Sequence, residues 1–140
     1  MNNRTEGDFI TKENLLRFDK KRLVYFLIFV VAFALTEIGR EVYRPYIYEN
    51  GISDFGAADT VGNFFGTITQ VYFMLFLLNP TYKNGLWFFL FFVIGYSIYE
   101  IAQLFMEGSY FDWKDILATI LAGGIALLLY QQIFRRRADE

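Results

Sequence analysis

Residues 86–105 read LWFFLFFVIGYSIYEIAQLF. No charged side chain occurs in this run before Glu100. At about 1.5 Å per residue a helix of this length crosses about 30 Å of hydrocarbon. A soluble domain of 140 residues has too little interior to bury such a stretch together with others like it. Three others exist: residues 23–38 (LVYFLIFVVAFALTEI), 61–78 (VGNFFGTITQVYFMLFLL) and 116–134 (ILATILAGGIALLLYQQIF). Hydrophobic residues make up 55% of the chain, and the 20% that are charged gather between the runs. The runs are too long and too evenly apolar for barrel strands, which alternate. The expected fold class is therefore all-α, an integral membrane bundle of four transmembrane helices.

The basic residues orient this bundle. Arg4, Lys12, Arg17, Lys20, Lys21 and Arg22 precede the first span, Lys83 lies between the second and third, and Arg135, Arg136 and Arg137 follow the fourth. Only Arg40, Arg44 and Lys114 fall on the opposite side. The positive-inside rule then places both termini in the cytoplasm and the protein, multi-pass, in the inner (cytoplasmic) membrane. Three regions follow: a basic N-terminal segment, 1–22; the transmembrane domain, 23–134; and a basic tail, 135–140. The first run follows a 22-residue segment and has no small-residue cleavage site, so it reads as a span and not a signal peptide. Residues 11–21 (TKENLLRFDKK) admit two readings, a short interfacial helix or a solvated turn that anchors the topology. Residues 46–58 form the longest external connection, with a turn at Asn50-Gly51.

Two absences remove whole chemistries. Without cysteine there is no disulfide, thiolate nucleophile or Cys-ligated metal; without histidine there is no Ser-His-Asp triad or imidazole acid–base step. The net charge of −2 argues against nucleic acid. No cofactor or metal is expected.

The polar residues within the spans collect toward one leaflet. Asp59, Asn63, Thr67 and Gln70 step by 4, 4 and 3, which sets them on one helical stripe. Glu100 and Gln103 share a face of the third span, and Asp112, Asp115 and Thr119 open the fourth. Ionisable groups inside a membrane usually face the bundle interior and pair. Glu37 with Arg40 and Glu41 with Arg44 read most simply as structural ion pairs one helical turn apart. Asp112 and Asp115 read equally well as acids capping the fourth span or as members of a site. Glu100 has no basic neighbour on its own helix. Gly62, Gly66, Gly123 and Gly124 read as small residues that let helices pack closely. Phe and Tyr in the third span read as lipid-facing bulk and interfacial belt.

The stretch from Glu100 and Gln103 to Asp112, Asp115 and Thr119 resembles the signature of the VanZ-like membrane proteins. That family has an acid and a glutamine three apart closing the third span, a short loop, then two acids three apart opening a small-residue helix. Asp59 and Asn63 resemble its Asp-Lys-x-x-His motif. Asn63 stands at the family's His place, Ser109 at its Arg place and Thr119 at its Asn place. The resemblance covers roughly residues 59–130. It implies a bacterial cell-envelope protein of the kind associated with low-level resistance to glycopeptide antibiotics.

The leading functional expectation is a non-enzymatic binding protein. Its outward acidic and polar pocket (Asp59, Asn63, Glu100, Gln103, Asp112, Asp115, Thr119) would take a lipid head group, a lipid-linked or cell-wall ligand, or an antibiotic. A small transporter or carrier subunit is one alternative, although residues 71–78 and 86–92 offer few polar side chains toward the cytoplasm. A carboxylate-based intramembrane enzyme acting on a lipid-linked substrate is another. Catalytic residues are not assigned, the lipid bilayer is an expected partner, and a homo-oligomer is left open.

Overall fold

The computed structural model describes residues 18–108 and 111–138. The interfacial-helix reading of residues 11–21 falls mostly outside them, as does Ser109. The described residues are helical and contain no strand: α1 (Lys20–Ile38), a π-helical turn (Gly39–Tyr43), α2 (Arg44–Glu49), α3 (Ala57–Leu78), α4 (Tyr82–Ala102) ending in a 3₁₀ turn (Gln103–Phe105), and α5 (Trp113–Ala138). Four helices are long and apolar enough to span a membrane: Lys20–Glu49, Ala57–Leu78, Tyr82–Phe105 and Trp113–Arg135.

The first of these runs well past the apolar stretch 23–38. Pro45 explains the irregularity on the way. Proline has no N–H, and its ring collides with the carbonyl four residues earlier in a regular helix. The π turn just before it widens the backbone and lets the helix continue to Glu49. The connection to α3 is thereby shortened to residues 50–56.

Local signals set the other ends. The Asp19 carboxylate accepts from the Arg22 N–H at 2.9 Å and caps α1. Asp54 does the same for α3 from outside the helix, accepting from Gly56 N–H (3.0 Å) and Ala58 N–H (2.7 Å) while Gly56, at φ +86°, makes the turn. Asn79 closes α3 in the left-handed region at φ +42°, with its N–H on the Leu75 carbonyl, and Pro80 prevents further helix.

The helices run up, down, up and down, and α3 touches each of the others. The start of α1 and the end of α5 meet, with the Lys21 ammonium 5.0 Å from the centre of the Phe134 ring. One end of the bundle is therefore basic, and the other carries Glu37, Asp59, Glu100, Asp112 and Asp115. The core is aromatic toward the basic end. Tyr25, Tyr72 and Tyr130 are fully buried, with Tyr25 stacked on Tyr130 at 6.0 Å and tilted against Tyr72 at 5.9 Å. Tyr72 donates to the Ala126 carbonyl (2.9 Å) and Tyr130 to the Tyr82 carbonyl (3.1 Å). Outside this core the spans are covered with exposed Leu, Ile, Val and Phe, the surface that a hydrocarbon solvent requires.

The glycines divide in a way that their spacing does not reveal. A Cβ on Gly123 would run into Val93, so this residue does mark close packing of α4 on α5. Gly66 and Gly124 face open space, and a Cβ on Gly62 would be in ordinary contact with the Arg40 stem at 3.9 Å, so GxxxG on α3 does not mark a tight helix approach within the chain. The tight approaches that sequence reasoning missed are Gly39 against Val61 and Gly85 against the Tyr130 hydroxyl.

Candidate functional site

Glu100 is the centre of the acidic end. It closes α4, is 3% exposed, and has both carboxylate oxygens engaged: Asn63 on α3 donates its amide at 3.3 Å and Gln103 donates at 2.8 Å. The Gln103 contact follows from the turn of helix between the two residues. The Asn63 contact follows from α3 and α4 lying side by side, with Asn63 about one and a half turns into α3. No Lys or Arg lies within ion-pair distance of Glu100 among the described residues. Its charged neighbours are acids, Asp115 and Asp112. Asn63 also lies near Asp115.

The two acids that open α5 have separate roles. Asp112 is the cap, its Oδ1 accepting from the Lys114 N–H at 2.9 Å. Asp115 is not used as a cap: its Oδ1 is buried with no hydrogen-bond partner among the described residues. One turn further on, Thr119 is fully buried and its hydroxyl is likewise unpartnered. Buried polar atoms without partners are rare, because each loses its hydration without compensation. With buried Glu100 near Asp115, they make a buried polar cluster at the acidic end.

Asp59 is exposed at the same end. It accepts from the Tyr48 hydroxyl and pairs with Arg44 at 3.2 Å. This corrects the expected pairing of Arg44 with Glu41: the π turn changes the helical phase, and the guanidinium reaches across to α3 while Glu41 stays exposed. Glu37 and Arg40 do approach each other, at 3.6 Å on the surface. Tyr43 and Tyr48 were not singled out by sequence reasoning, yet their hydroxyls hold Asp54 and Asp59. Aromatic residues near a span end carry no sequence signal that separates a membrane belt from a hydrogen-bond donor.

The polar stripe of α3 does not stay together. Asn63 joins Glu100, while Thr67 turns its hydroxyl back to the Asn63 carbonyl (2.7 Å) and is buried. Gln70 points elsewhere and is exposed. Among the described residues no group of three or more Asp or Glu side chains is placed to hold a metal ion. The basic half is also less apolar than residues 71–78 and 86–92 suggest: it encloses three tyrosine hydroxyls, that of Tyr25 unpartnered, and Lys21, 8% exposed.

No protein-family model matches this chain. No curated protein and no solved structure matches it either.

Proposed function

We propose that this chain is a ligand-binding protein of the cytoplasmic membrane, both termini inside, whose recess at the outer end takes a cationic or hydroxyl-rich group of a cell-envelope ligand. The observation that carries the reading is Glu100. A carboxylate inside a bundle usually pairs with a cation, and this one has only amide donors on it and a second acid beside it. A ligand ammonium or sugar hydroxyl would supply what the chain does not. It would also complete the hydrogen bonding of Asp115 Oδ1 and Thr119 Oγ1. The proposed site takes in Asn63, Glu100, Gln103, Asp115 and Thr119, positions on which the VanZ-like resemblance also rests, and an envelope role related to that family's is part of the proposal. Asp112 and Asp59 contribute mainly to the rim, as a cap and an ion-pair partner.

Orientation is tested with single cysteines, since the chain has none of its own. Cysteines replacing Asp115 and Thr81 would be treated in intact cells with a membrane-impermeant maleimide. Labelling at 115, with 81 silent until lysis, is the expected result; the reverse inverts the topology. Binding is tested by native mass spectrometry of the purified protein with envelope lipids bearing amine or sugar head groups. Glu100→Gln should lower retention of such lipids at least ten-fold while the protein stays folded. Unchanged retention of every head group in that variant removes the reading.

A carrier reading has one observation in its favour, the buried hydroxyls of Tyr25, Tyr72 and Tyr130 with Lys21 in the basic half. Uptake of a head-group analogue into vesicles that is abolished by Tyr25→Phe would favour it over simple binding.

A further inference from the structure

Gln70 lies about 20 Å along α3 from Ala57, and about 12 Å from its other end, at 1.5 Å per residue. This depth is beyond the reach of head groups and bulk water. Around the helix it lies about 60° from buried Thr67, since three residues turn a helix 300°. Its side chain is exposed and lines a groove of about 420 Å³ between α3 and α4, lined also by Phe91, Phe92, Gly95, Tyr96 and Tyr99. Among the described residues no hydrogen bond reaches the Gln70 carboxamide or the hydroxyl of Tyr96 or Tyr99. Hydrocarbon offers a carboxamide neither donor nor acceptor, so polar side chains at this depth pair across helices. The same face has room for a close approach, because a Cβ on Gly66 or Gly95 would meet nothing within 4 Å. Of the four spans, α4 is the least buried within the chain.

We propose that this α3–α4 groove is the contact face of a homodimer, with Gln70 of each copy hydrogen-bonded to Gln70 of the other. The membrane selects the occupant. Two copies inserted in one orientation hold equal residues at equal depth, and a two-fold axis along the membrane normal brings the same patch of each against the other. A carboxamide is its own complement, since the NH₂ of one donates to the carbonyl of the next. Lipid chains lack both groups. This face is distinct from the acidic recess and does not depend on what the recess binds.

Cysteine scanning tests it in native membranes. Phe91→Cys leaves Gln70 in place; Val31→Cys on α1 and Leu121→Cys on α5 are equally lipid-exposed controls. With copper phenanthroline, Phe91→Cys should form disulfide-linked dimers at least five-fold faster than either control. Adding Gln70→Leu should reduce the rate to the control level, and Gln70→Asn should retain part of it. Equal rates at all three positions overturn the proposal, as does cross-linking of Phe91→Cys mainly to a different protein. Single-molecule photobleaching in dilute bilayers adds an independent reading: two-step traces for the unmodified chain support it, and one-step traces overturn it. Should Gln70→Leu fail to insert, the comparison of Phe91→Cys with its controls and the photobleaching still decide.

Discussion

At the scale of single residues, space and partners matter more than residue type. Gly85→Ala would drive a methyl into the Tyr130 hydroxyl and disturb its bond to the Tyr82 carbonyl. Overpacking of this kind costs about 1–3 kcal/mol. Gly66→Ala and Gly124→Ala, with open space, should instead be neutral or stabilising by up to about 1 kcal/mol through helix propensity. Reversible unfolding in mixed micelles distinguishes the two outcomes. Thr119→Val replaces a buried, unpartnered hydroxyl with a methyl, so stability should hold or rise while head-group binding falls. A stable variant with full binding would exclude Thr119 from the recess. Asp54 supplies a pH-dependent cap. Burial opposes its charge, but the Ala58 N–H, the Tyr43 hydroxyl and the Gly56 N–H outweigh it and hold the carboxyl below the usual carboxylate range. A depressed carboxyl stabilises the fold above its unfolded pKa, near 3.8, and loses that contribution as pH falls through the folded value. Protection of the Ala58 amide relative to its intrinsic exchange rate should therefore fall below about pH 4 in the native chain. In Asp54→Asn that pH dependence should be absent.

At the scale of elements, the basic end is tied together by more than charge. Arg22 on α1 donates through Nε to the Phe76 carbonyl (2.7 Å) and through Nη2 to the Leu77 carbonyl (3.1 Å), and Lys21 donates to Pro80 O at 3.3 Å. The Phe76 and Leu77 carbonyls end α3 and have no intrahelical donor, the helix dipole adds to their attraction for a cation, and Pro80 follows just beyond that end. Residues that read in the sequence only as topology signals thus cap the neighbouring helix. Arg22→Ala should cost about 1.5–3 kcal/mol, the range for hydrogen bonds to a charged group. Arg22→Lys should recover less than half, because one ammonium cannot match two forked contacts. An equal loss in both variants, or none, would contradict this role. The π turn has the opposite character: Pro45 advertises a disturbance, but the length of helix beyond it was not legible, since Glu49 lies 11 residues past the end of the first apolar run.

For the whole molecule, the number of spans, the basic polarity of one end and the acidic polarity of the other were determined by the sequence alone. So was the convergence of polar positions on α3, α4 and α5 toward a single end. These are properties of position along each helix, set by local hydropathy and by the 1.5 Å rise, and neighbours hardly alter them. What only the tertiary structure decided is azimuth and partnership. Asn63 finds Glu100, Arg44 finds Asp59 and Gln70 turns outward because each helix presents its side chains about 100° apart. A π turn, a tilt or a packing contact rotates that whole set. Gly85 matters to packing within the chain and Gly66 does not, because a tyrosine from another helix fills one space and not the other. Depth in the membrane is written along the chain; the direction a side chain faces is written in the contacts between helices.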